Sequence, residues 1–75
     1  MNLLLTQLKP GEKGKVKQID ACRRAARRLY EMGFNIGTNF EVVKNDIGPI
    51  IVSLFGHKVA VGRGLAQKII VNQPD

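Results

Sequence analysis

Between Asp20 and Gly33 the chain repeats apolar residues at helical spacing, and on either side of that stretch turn signals recur every several residues. Asp20 reads as the N-cap of this helix. Gly33 stands where a left-handed residue ends one, and Phe34 can fold its apolar side chain back on the last turn. At about 100° per residue, Cys22, Ala25, Ala26, Leu29 and Met32 form one apolar stripe. Arg23, Arg24, Arg27 and Arg28 fall on the opposite side, with Glu31 among them. A chain of 75 residues therefore has one helix to bury and must build the rest of its core from short strands.

The strand signals are local. Lys9-Pro10-Gly11-Glu12 reads as a type II turn after the apolar lead-in Met1 to Leu8. Lys13 to Ile19 then alternates as a short strand, and Phe40 to Lys44 is rich in β-formers before Asn45-Asp46 stops it. Gly48-Pro49 opens a run from Ile50 to Phe55, Gly56-His57 reads as a hairpin turn, and Lys58 to Val61 returns. Gly62 to Gln67 resembles a helical or 3-10 turn, Lys68 to Val71 closes with a strand, and the tail from Asn72 to Asp75 is expected to fray. About five strands in a flat sheet would leave one face and two edges open, so closure is expected. The predicted architecture is a single domain over residues 1–75, mainly β with one inserted helix: a small SH3-like barrel carrying the helix on its surface.

Composition narrows function. Twelve Lys plus Arg against six Asp plus Glu give a net charge of +6, which favours acidic partners: nucleic acid, an anionic membrane face or an acidic protein surface. The lone Cys22 forms no internal disulfide, which suits a reducing cytosol. The longest apolar run, around Ile50-Ile51-Val52, is far short of the ~20 residues of a membrane span, and the N-terminus has no signal-peptide pattern.

In order and spacing the motifs resemble the FeoA family, small cytoplasmic proteins of bacterial ferrous-iron uptake. They are Leu8-Lys9-Pro10-Gly11-Glu12 with Gly14, then Arg28-Leu29-Tyr30-Glu31-Met32-Gly33-Phe34, Gly37, Val42-Val43 and Gly48-Pro49. Val59-Ala60-Val61-Gly62-Arg63 and Ala66-Gln67-Lys68-Ile69-Ile70-Val71 complete them, so the resemblance runs from Leu5 to Val71. Ile36 stands where the family pattern often has Pro before the glycine matched by Gly37. The same domain ends iron-dependent repressors, but this chain has no room for their preceding parts and reads as free-standing. The resemblance implies a non-enzymatic accessory role beside FeoB, the membrane Fe(II) transporter, through its cytoplasmic GTPase portion.

Among candidate sites the arginine face is the sharpest. Arg23, Arg24, Arg27 and Arg28 can dock an acidic surface through bidentate guanidinium contacts, against the plain alternative of a solvated helix face. Tyr30, between the two faces, is either an aromatic at the rim of that dock or a cover for the core edge. Leu29 belongs to the core. Cys22 on the apolar stripe and His57 in a turn are too few for a metal site, and Glu12, Asp20, Glu41 and Asp46 are scattered, so neither metal nor cofactor is expected. Gly62-Arg63-Gly64 matches neither the P-loop nor the dinucleotide fingerprint. No elbow motif surrounds Ser53, Thr6 or Thr38, a chain this small leaves little room for a water-excluding pocket, and no enzyme is expected. Nucleic-acid binding is the main rival, disfavoured by so few aromatics for base stacking. Self-association through a strand edge is a third class.

Overall fold

The structure, a computed structural model, describes residues 2–73; Met1, Pro74 and Asp75 lie outside it. Among the described residues six strands and two α-helices follow in order: β1 (Asn2–Leu4), β2 (Lys13–Ile19), α1 (Arg23–Met32), β3 (Asn39–Lys44), β4 (Ile50–Leu54), β5 (His57–Val61), α2 (Arg63–Ala66) and β6 (Ile69–Asn72). All pairings are antiparallel, and the sheet order is β1-β6-β2-β3-β4-β5. The mainly-β, SH3-like expectation holds, with two corrections. A sixth strand, β1, pairs with β6, so the lead-in is part of the sheet and Asn72 is a strand residue rather than a frayed tail. The barrel is also open: β1 and β5 are edges with no ladder between them.

A polar tie bridges segments on that open side instead. Leu5 to Gln7 form a 3-10 turn after β1. Asn45, after β3, donates from Nδ2 to the Thr6 and Leu8 carbonyls at 3.1 and 2.6 Å. Arg63 of α2 donates to Asn45 Oδ1 at 2.8 Å and to the Asp46 carbonyl. Each group of the tie finds a partner in a segment remote in sequence, so these polar atoms are satisfied within the fold.

The core is apolar throughout. Leu5, Leu8, Val16, Leu29, Phe34, Phe40, Val42, Ile50, Val52, Leu54, Val61, Ala66, Ile69 and Val71 are buried, and among the described residues no polar side chain is. In β4 the alternation is complete, Ile50, Val52 and Leu54 inward with Ile51 and Ser53 between them. Gly14 allows the closest approach: a Cβ there would meet the Phe40 ring at 2.9 Å and the Asn72 carbonyl at 3.0 Å. The hairpin turn is Phe55-Gly56, not Gly56-His57, because Leu54 pairs with His57 and both loop residues take positive φ (50° and 81°). His57 thus begins β5.

The turn at Lys9-Pro10-Gly11-Glu12 forms as read, with the Glu12 N–H donating to the Lys9 carbonyl at 3.0 Å and Gly11 at φ 90°. Its carboxylate accepts from Gln73 Nε2 at 3.0 Å and from the Lys9 N–H at 2.6 Å. Those bonds, Gln73 first, hold Glu12 below its ordinary value of 4.5. A lowered carboxyl stabilises the fold above the unfolded-state value, and that contribution is lost as pH falls through the folded-state value. Acid unfolding below about pH 4.5 is therefore expected to be shallower in Glu12→Gln than in the wild type, in thermal melts across pH 3 to 6. Leu29→Asp is expected to unfold the domain, since an unpartnered buried carboxylate costs several kcal/mol; far-ultraviolet circular dichroism reports it.

Candidate functional site

α1 is anchored at its C-terminal end. Gly33 takes φ 108°, its N–H donates to the Tyr30 carbonyl at 3.0 Å, and the Phe34 N–H donates to the Leu29 carbonyl at 2.9 Å. This pair of bonds is the Schellman arrangement. Phe34 and Leu29, the two residues it brings together, are both fully buried. Gly33 also lies against Leu54, whose Cδ1 would be 3.4 Å from a Cβ at that position. The expected end of the helix is the observed one.

Its beginning is not. Asp20 does not cap α1; its N–H donates to the Lys68 carbonyl at 2.7 Å, which keeps it with the strand that pairs to β6. The N-cap is Cys22, with no side-chain cap bond. Cys22 is exposed rather than on the core stripe, because it precedes the first helical turn. Of the apolar stripe only Leu29 is fully buried, while Ala25, Ala26 and Met32 are half-buried.

Arg23, Arg24, Arg27 and Arg28 are all exposed, and among the described residues none makes a side-chain hydrogen bond or ion pair. The helix carries them at a local cost. Arg23 and Arg24 occupy the first turn, where the macrodipole favours acids, and no acid is there. Arg23 with Arg27, and Arg24 with Arg28, are like-charge pairs four apart, each worth about 0.2–0.5 kcal/mol against the helix. Glu31 lies in the last turn, the other unfavourable end. Tyr30 is 44% exposed, at the edge of this face rather than in the core.

The remaining candidates are dispersed. His57 is exposed at the start of β5. Among the described residues no three of His, Cys, Asp and Glu come together as a metal site would require. A hollow of about 440 Å³ lies beside Gly14 and Phe40, rimmed by Lys13, Lys15 and Asn39, so the chain has more concave space than its length suggests. The ionisable lining of that hollow among the described residues is the two lysines, Lys13 and Lys15. No helix of the described residues is long and apolar enough to cross a membrane. The sequence reading missed two features: the Asn45–Arg63 tie, which spans too many residues to leave a local signal, and Phe55, 75% exposed at the hairpin tip.

Comparison with known proteins adds an independent line. The family model described as the FeoA domain matches residues 3–73. The chain is 48% identical over 67 residues to a Methanocaldococcus jannaschii protein named "Putative Fe(2+) transport protein A", covering 89% of this chain and 82% of that one. It is similar to a crystal structure of an iron uptake regulatory protein (FeoA), with TM-score 0.91 and 35% identity over 99% of both chains. A manganese-dependent transcriptional repressor solved with manganese matches with TM-score 0.90 and 26% identity, covering 97% of this chain but 37% of the repressor.

The charge pattern of α1 generates a prediction. Arg24→Glu puts an acid in the first turn and removes the repulsion with Arg28, so the thermal midpoint is expected to rise, by the equivalent of about 0.5–1 kcal/mol at low salt. A calorimetric scan in low and high salt checks this, and the gain should shrink as salt screens it.

Proposed function

Because this chain belongs to the FeoA family, we propose that it is a non-enzymatic, cytoplasmic accessory protein of Fe(II) uptake that docks on the cytoplasmic GTPase portion of a FeoB-type transporter. The contact surface in this reading is the face of α1 formed by Arg23, Arg24, Arg27 and Arg28, with Tyr30 as the aromatic at its rim. One observation carries it: four exposed guanidinium groups without a partner among the described residues, on a helix whose dipole and spacing they oppose. Surface charge kept against local stability marks a position held for another purpose. An acidic patch on the partner would relieve the repulsion and accept bidentate bonds from several guanidiniums at once. Recruitment to the inner membrane face then follows from the partner, with Fe(II) as the cargo of the transporter.

In this reading the role is regulatory contact and not chemistry. Arg24→Glu/Arg27→Glu is expected to stay folded and to bind the transporter's cytoplasmic domain at least tenfold more weakly, a loss of about 1.4 kcal/mol or more. Titration calorimetry reads it, and wild-type affinity should fall as salt rises. Unchanged affinity in the folded variant removes the arginine dock. A saturable RNA complex that survives physiological salt, with no transporter binding, would replace the reading with the nucleic-acid one.

A further inference from the structure

We infer that β5 is a docking edge for an extended acidic peptide segment, which would add a seventh strand to the sheet and be gripped at one end by Phe55. The surface is formed by a different element from the arginine face of α1 and does not depend on the function proposed for that face.

The first observation is the hydrogen-bonding pattern of the edge. β5 pairs only with β4, and the hairpin closes with Leu54 opposite His57. After a two-residue loop that closing pair exchanges both of its bonds, and bonded pairs then alternate, Val52 with Val59 and Ile50 with Val61. Lys58 and Ala60 therefore turn their N–H and C=O groups away from the sheet. Among the described residues nothing bonds to those four groups. Proteins commonly blunt such an edge with a proline, a bulge or a covering segment. β5 has no proline and pairs with β4 without a register shift, whereas the β2–β6 and β3–β4 pairings are both shifted. Its regular spacing fits an incoming strand.

The second observation is Phe55. It holds φ 50° as the first residue of a primed hairpin turn, a conformation that suits Asn or Gly and is an outlier for a bulky side chain. Its ring is 75% exposed, so the fold does not reward it by burial either. An aromatic that costs local strain and meets solvent, placed at the head of a strand open on its outer side, has the character of a binding anchor.

Charge selects the occupant. Lys58 is the exposed charged residue of the edge, and the chain carries +6 overall. A strand with an acid opposite Lys58 gains a favourable cross-strand pair, while a second copy of this basic chain would meet net repulsion.

The probe is an acetylated octapeptide alternating Glu and Val, titrated into nitrogen-15-labelled protein, with the Lys–Val peptide as control. The Lys58 and Ala60 amide signals are expected to shift saturably, and their hydrogen exchange to slow, with the acidic peptide alone. Ala60→Pro removes one outward donor without touching the β4 ladder and should abolish the shifts. Phe55→Asn suits the turn better, so it should raise the thermal midpoint while weakening peptide binding by about fivefold or more. In Arg24→Glu/Arg27→Glu the same two amides should still shift at saturation, which separates this edge from the α1 dock. Shifts confined to α1, peptide affinity indifferent to Phe55→Asn, or no saturable change at Lys58 and Ala60 would each overturn the inference. So would β5 amide shifts that depend on protein concentration without peptide, which would assign the edge to a second copy.

Discussion

The burial of Leu29 and Phe34, locked together by the left-handed Gly33, is the contact on which the proposed function rests. α1 has little else to hold it. It begins without a side-chain cap, its first turn is basic, its last turn contains an acid, and its arginines repel one another at helical spacing. An isolated helix of ten residues with such a pattern would not persist in water. Here the C-terminal clamp fixes the helix to the core beside Leu54 and leaves its outer face exposed.

The sheet follows a related logic. Six short strands do not close, and both ends of the ladder remain as edges. On the open side a single amide, Asn45, ties the 3-10 turn and α2 to the β3–β4 loop through Thr6, Leu8 and Arg63. That arrangement joins segments far apart in the chain through a few hydrogen bonds, while β5 carries no ladder along its outer side.

Local chemistry made much of this legible before the structure. The turn at Pro10-Gly11, strand β2 and the end of α1 at Gly33-Phe34 all depend on near neighbours, and each is found where the residues indicate. The misreadings share a cause in long-range pairing. Asp20 has the chemistry of a cap, but its N–H is taken by Lys68 across the sheet, so the helix starts later, at Cys22. Asn2–Leu4 is a strand only because β6 is there to receive it. The Phe55-Gly56 turn lacks the Asn-Gly pair that would advertise it, and the roles of Asn45 and Arg63 exist only once the fold has assembled. The arginines were visible as a stripe; their lack of internal partners was not, since that is a property of the whole surface.

The central claim, that these guanidiniums are held free to meet an acidic protein neighbour, is tested most directly by following them. In labelled protein titrated with the cytoplasmic domain of the FeoB-type transporter from the same organism, the side-chain Nε–Hε signals of Arg23, Arg24, Arg27 and Arg28 can be observed one by one. The account expects them to shift and broaden together, saturating at one stoichiometry and less strongly in high salt. Complex formation that leaves all four unmoved while signals elsewhere shift would contradict it.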